Sequence, residues 1–346
     1  MKDLKKRGRK REDHDQACPN QNCDIYGIVN HEDVIRYGHQ KNGEQEYKCN
    51  RCEARFNRRK GTPLEGLRTP IYVILMAMAM YMCGVGVGMI AAVTGKQEKT
   101  VERWIRRIAP HCEVLIKQEL CKRNHNFSSL YLQMDELWSY LWRKKTKVWI
   151  WTGIDVATRL FIAFHIGDRS SNSAKALIKT IKARTDGVPR LITTDGLEAY
   201  VGQIKAYFKG SMYAQVVKEW DGVRISRVYK KVISSHSLVQ IVEFISWLKN
   251  VGSTVNTSYV ERFNLTLRSC LCSLIRRTLA AAKKKEGLEG QMFVFQVFYN
   301  FVRPHMSLTL GKGKGKQKRT PAIAAGLADH VWNWEEVLLY HPNYLH

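Results

Sequence analysis

The chain has 346 residues, is 45% hydrophobic, and carries a formal net charge of +25. Its length exceeds one usual domain, and its apolar share excludes a chain too polar to bury a core. A field this positive favours a polyanionic partner, nucleic acid first, over a ribosomal or membrane-surface role.

Basic clusters recur along the whole chain, among them Lys5-Lys6-Arg7, Arg9-Lys10-Arg11, Arg58-Arg59-Lys60, Arg143-Lys144-Lys145 and 314–319. Residues 1–17 are basic and polar and are expected to form a disordered arm. No apolar stretch follows this start, so no signal peptide is expected. Nine cysteines are an odd count without the look of a disulfide framework. That points to a reducing compartment, the cytoplasm at the nucleoid.

Four of the cysteines have metal spacing. Cys18 and Cys23 form one pair, Cys49 and Cys52 the other, and a short β-ribbon is expected between them. Two such knuckles supply four thiolates, which close a tetrahedral structural Zn²⁺ site within residues 18–60. The first gap holds four residues rather than the commoner two. A segment this short lacks a core, so metal binding should fold it.

Residues 69–95 contain no charge. The run is long enough to cross a membrane. Gly84, Gly86 and Gly88 divide it, which points to two buried helices instead. Val101, Trp104, Ile105 and Ile108 then recur at helical spacing, with Pro110 just past the stripe. Residues 66–110 thus read as three helices. A short helix, the turn Thr94-Gly95 and a helix opening with Lys96, Gln97, Lys99, Thr100 and Arg103 form a helix-turn-helix pattern. Those five residues are the candidates to meet DNA.

Residues 111–128 read as a helical linker, and then the pattern changes. Strands are expected at 130–138, 147–155 and 160–166, a helix at 173–183, a strand at 190–194 and a helix at 197–208. That is the order of a ribonuclease H-like α/β core, a mixed sheet flanked by helices, spanning 129–310. Residues 211–256 read as an irregular insertion holding a β-like run at 224–233. A long helix is expected from Ser258 to about residue 285. The alternation of Gly and Lys at 311–319 reads as a mobile loop, and the tail to residue 346 should pack back on the core through Trp332, Trp334 and Tyr340.

Three strings carry chemistry: MDELWSY at 134–140, TTDGLEAY at 193–200 and SYVERFNLTLR at 258–268. Asp135 and Asp195 each follow an apolar strand-like run, and Glu261 lies in the first turn of a helix. Carboxylates on separate elements can converge on two Mg²⁺ or Mn²⁺ ions, roughly 3.5–4 Å apart, for phosphodiester cleavage. Each acid also has a plainer reading. Asp135 could be an exposed strand residue, Asp195-Gly196 an ordinary turn, and Glu261, three residues after Ser258, part of a capping box. Asn264 and Arg268 share the face of Glu261, where an Arg can grip the phosphate being cut. Glu136 should point away from Asp135 and serve structure.

These strings resemble transposases of the insertion-sequence-one type, members of the DDE superfamily. The zinc knuckle and helix-turn-helix resemble that family's end-binding region. The stretch 299–305, with Thr320-Pro321, is similar to a segment after the catalytic glutamate in integrase-like transposases. The resemblance implies metal binding by Asp135, Asp195 and Glu261, zinc at the four cysteines, and a transposon-end contact by Arg268. It implies double-stranded DNA as partner, at terminal repeats and at the target, and at least a homodimer, with no membrane. Sixty-five residues separate Asp195 from Glu261, more than in integrase-like relatives. A DNA-binding regulator without catalysis and a structure-specific nuclease of the same fold are the alternative readings.

Overall fold

The computed structural model describes residues 16–40, 43–121, 131–222, 224–250, 254–275, 278, 280–311 and 313–341. Most of the expected N-terminal arm and the end of the 111–128 linker lie outside these residues. The chain divides into two compact units, one of residues 1–69 with 338–346, the other Pro70–Val337.

In the first unit three short antiparallel strands, β1 (Val34–His39), β2 (Gln45–Cys49) and β3 (Arg55–Asn57), form one sheet. Val34, Tyr47 and Phe56 turn inward onto the cysteines, with the Tyr47 and Phe56 rings stacked 5.9 Å apart. Arg59 is buried and closes the unit. Its guanidinium donates to the carbonyls of Leu67 and Thr69 and to Glu44 at 2.6 Å. A buried charge is tolerated because each of these groups answers it.

The second unit opens with helices α1 (Ile71–Met82), α2 (Val87–Thr94) and α3 (Glu98–Cys121). The uncharged run is two helices, and no helix among the described residues is long and apolar enough to cross a membrane. Gly84 turns the chain between them at φ +79°, where a side chain would strike the Ser269 carbonyl. Pro110 does not end α3, contrary to expectation. The buried stripe runs on through Cys112, Leu115, Ile116 and Leu120, and that packing outweighs the hydrogen bond lost at the proline.

A six-stranded mixed sheet follows. It comprises β4 (Tyr131–Tyr140), β5 (Lys147–Asp155), β6 (Phe161–Gly167), β7 (Leu191–Asp195), β8 (Met212–Asp221) and β9 (Arg224–Val232), in the order β6-β5-β4-β7-β8-β9. The first three strands form an antiparallel meander, β7 lies parallel to β4 and β8 parallel to β7, and β9 returns antiparallel. Helices α4 (Ser171–Arg184) and α5 (Ala199–Tyr207) connect the parallel strands. Strand β4 is buried along nearly its whole length, as a central strand covered on both faces must be. This mixed sheet flanked by helices is consistent with a ribonuclease H-like core.

Two expectations are corrected here. Most of the described part of 211–256 is regular: β8 extends the main sheet, β9 pairs with it, and α6 (Leu238–Asn250) follows. The long helix is short. Helix α7 spans Ser258–Cys270, a 3-10 turn follows at Cys272–Leu274, and α8 spans Lys285–Val297. The break has a physical reason. Arg268 donates to the carbonyls of Leu274 and Trp138, folding the chain back onto the end of β4. The 311–319 loop is pinned by pairing of Leu310 with Gln317, and Trp332 and Trp334 pack on Phe301 and Phe298.

The outer strand β6 is covered by side chains from α8 and the π-helical turn after it. The Asn300 amide accepts from the Phe161 N–H at 2.9 Å and donates to its carbonyl at 3.0 Å, and Gln296 donates to the carbonyls of Phe161 and Ile162. Phe161, Phe263, Phe295 and Tyr299 fill the space beneath, with Phe161 and Phe263 4.5 Å apart.

Candidate active site and metal centres

Strands β4 and β7 pair in parallel only from Tyr131/Leu191 to Gln133/Thr193, and both continue past that point. A gap therefore opens between them. Asp135 and Glu136 stand on one side of it and Asp195 on the other. One carboxylate oxygen from each of the three lies within 4.8 Å of the others, a spacing that can hold a metal ion. Glu136, expected to serve structure alone, joins this group. The strand has no neighbour at the gap, so a side chain from its other face can reach the open edge.

Each acid is held by a different set of partners. Asp135 accepts from the Asn264 amide at 2.8 Å, and Asn264 accepts in turn from the Thr152 hydroxyl. Glu136 receives two bonds from Arg169, at 2.7 and 2.9 Å, and one from Tyr200. Arg169 also lies 3.9 Å from Asp195 and packs over the Trp149 ring. Asp195 accepts from the Leu197 N–H. Asp155, a spare acid in the sequence, is buried and binds Thr158, away from this group.

Burial, then the charge of Asp195, pushes the Asp135 carboxyl up to about 7. Burial and the same neighbour push Glu136 to about 7 against the pull of Arg169. Burial also raises Asp195. Three carboxyls that resist ionising together are a site short of positive charge, which a divalent cation supplies. Hard oxygen donors suit Mg²⁺ or Mn²⁺.

Glu261 stands in the first turn of α7 and shares a cleft with Asp135, Glu136, Asn264 and Arg268. Its carboxylate is turned to Lys218 on β8, at 2.6 Å, and to the Thr257 hydroxyl at 2.9 Å. It is not among the three acids within 4.8 Å. No capping box forms either, since the Ser258 hydroxyl goes to Asn256. The helix start is fixed instead by Gln133, which is wholly buried. It accepts the N–H groups of Tyr259 and Val260 and donates to the Asn256 carbonyl at 2.7 Å.

Asn264 and Arg268, read as DNA contacts, have work inside the fold. The first orients Asp135, and the second binds main-chain carbonyls while lining the cleft. Arg169, Gln133, Tyr200 and Lys218 escaped the sequence reading. Nothing in their spacing marks them, because only the strand order brings them to the acids.

The four cysteines come together as their spacing requires. Cys18 and Cys52 sulfurs lie 3.6 Å apart, Cys23 and Cys49 sulfurs 3.9 Å apart, and all four fall within 4.8 Å. Tetrahedral ligands at about 2.3 Å from zinc stand about 3.8 Å from each other. Burial raises the Cys18 thiol and lifts Cys23 to about 11. At Cys52 burial is outweighed by hydrogen bonds from Asn20 and Ala54, which bring it to about 7. The donor set fits a structural metal.

In the helical part, Gly95 takes φ +64° between α2 and α3. Lys96, Gln97, Lys99 and Arg103 are exposed and Thr100 is half-buried, while Val101, Trp104 and Ile108 face inward.

No protein-family profile matches the chain, and no curated protein does. Among solved structures it is similar to endonuclease V from Bacillus subtilis, at 11% identity, covering 47% of this chain and 84% of that one with a TM-score of 0.23. A likeness so slight carries no argument about fold or activity.

Proposed function

We propose that the protein is a metal-dependent DNA transposase of the DDE type, built on a ribonuclease H-like core. The observation that supports it most is the meeting of Asp135 and Asp195 at the gap between two parallel strands, with Glu261 presented beside them from α7. The three catalytic strings in the sequence point the same way, as does a net charge of +25.

Asp135, Asp195 and Glu261 would hold two divalent cations, with Glu136 as a further donor. Such ions supply activation of the attacking oxygen and stabilisation of the leaving one. Asn264 keeps the Asp135 carboxylate aimed at the gap. Arg169 offsets the charge of Glu136 and Asp195. Arg268, which lines the cleft, and Lys218, beside Glu261, would border the path of the phosphate backbone. The nucleophiles would be water for 3′-end cleavage and the freed 3′-hydroxyl for strand transfer, so no covalent bond between the protein and DNA is needed. The cysteine unit, with zinc, and the exposed start of α3 would bind the terminal repeats.

One observation favours a DNA-binding regulator without catalysis: Glu261 is engaged by Lys218 rather than grouped with the other acids. A cleavage and strand-transfer assay on the DNA flanking the gene, with Mg²⁺ or Mn²⁺, decides between them. Metal-dependent 3′-end nicking and joining is expected from the wild type, with none from Asp135→Asn, and end binding should survive in both. End binding without cutting by the wild type would favour the regulator. Loss of end binding in Asp135→Asn would count against the division of labour between the parts.

A further inference from the structure

The hairpin joining β4 to β5 carries an indole that packing does not explain. Trp142 is 61% exposed, and its backbone takes φ +57°. A left-handed conformation is costly for a bulky residue, and Gly or Asn would adopt it more easily. The turn is nevertheless well fixed. The Leu141 N–H bonds the Thr146 carbonyl, and the Trp142 N–H bonds the Ala282 carbonyl at 2.9 Å. Tyr140 donates to the Thr278 carbonyl at 3.1 Å, so Thr278 and Ala282, ahead of α8, lie alongside the hairpin. A strained aromatic held in place and left uncovered is a feature of sites that meet a ligand.

The surroundings say which ligand. Arg143, Lys144, Lys145 and Lys147 stand exposed at the tip, and Lys283 and Lys284 are exposed in the adjoining segment. Lys283 sits 6.0 Å above the Trp142 ring. Neither 141–147 nor 278–285 contains a carboxylate. An aromatic face within a ring of cations fits one chemistry above others: a base stacked on the ring while the phosphates on either side meet the cations. Strand β4 links this place to the acids. Trp142 lies seven positions after Asp135 and two beyond the end of β4, so at most about 23 Å from it along the chain.

We propose that Trp142 is a stacking platform for an unpaired base of a nucleic-acid strand, with the two lysine-rich segments gripping the phosphates around it. The inference rests on the nucleic-acid reading above but not on cleavage. It predicts a preference for single-stranded over fully paired DNA at this surface.

The test is fluorescence anisotropy with the full-length protein, without added divalent cation. The probes are a labelled single-stranded oligonucleotide and the same sequence as a blunt duplex. Trp142→Ala should weaken single-strand binding about tenfold and leave duplex binding within about twofold, with Trp142→Phe close to wild type. Trp142→Gly removes the ring and also relieves the backbone. It should bind the single strand as poorly as the alanine variant yet melt no lower than wild type, which separates lost stacking from lost fold. Unchanged single-strand affinity in Trp142→Ala, or an equal loss on both probes, overturns the platform. Its failure and that of the transposase reading are distinguishable. Ring-dependent strand binding in a protein that cuts no DNA with Mn²⁺ leaves the platform standing. Metal-dependent cutting with no ring-dependent strand binding removes the platform alone.

Discussion

Asp135 is where position and chemistry conflict most. Its half-buried carboxyl stands beside two others and is pushed up to about 7, as is that of Glu136. In the unfolded chain both would titrate near 4. Between those values the native state holds protons that the unfolded state has released. Stability from these groups is therefore full below about pH 4 and is lost as pH rises to about 7. A cation in the gap reverses this by making the ionised form the favoured one. Without added divalent cation, the thermal midpoint should fall as pH rises from about 5 to 7, and Mn²⁺ should raise it by at least ~2 °C near pH 7.5 but little near pH 5. Asp135→Asn should flatten both responses. A midpoint that climbs through this window, or ignores Mn²⁺ at the upper end, would mean the three acids do not act as one site. Calorimetry at a series of pH values reads it directly.

At the scale of elements, α7 matters most, because its first turn carries Glu261 and its second carries Asn264. Gln133 fixes that start with bonds to Tyr259, Val260 and Asn256. Gln133→Leu leaves the Tyr259 and Val260 N–H groups unpaired, at a cost of ~1–3 kcal/mol each, only partly recovered by rearrangement, while the Asn256 carbonyl keeps the Tyr131 and Thr193 hydroxyls. Urea denaturation should show a loss of roughly 2–4 kcal/mol, and cleavage should fall more than end binding does. A stability equal to wild type would remove Gln133 from the account. The strands of the core could be read from the sequence because they are apolar runs of strand length, as at β5 and β6. Asp135 and Asp195 could be read because each ends or interrupts such a run, and Glu261 because it opens a helix. Strand β8 could not, since it contains Lys218, Glu219 and Asp221 and its place depends on pairing with β7. The end of α7 was hidden because Arg268 breaks it through a distant contact with β4. The grouping of Glu136 with the other acids was not legible, because alternation puts it on the face opposite Asp135 and only the unpaired edge of β4 lets its side chain reach them. Pro110 misled for the opposite reason, as packing overrode a local signal.

At the scale of the whole molecule, the two units differ in what holds them together. The second has a large apolar core around a six-stranded sheet. The first has few buried side chains beyond those around its cysteines. Chelation should therefore unfold the first unit selectively, as metal binding supplies much of the folding free energy of such modules. With a strong zinc chelator, proteolysis should open the region before residue 70 while the rest stays resistant. Simultaneous loss of both would show that the units do not fold separately. The covered margin of the sheet at β6 has a different consequence. Its first residues already have amide side chains where another strand would pair, whereas β9, at the opposite margin, is exposed along nearly all its length. Among the described residues of this sheet, β9 is therefore the more open margin for backbone pairing. Two copies that paired there would each use up that margin, so growth along it would stop at a pair rather than run on as a fibre.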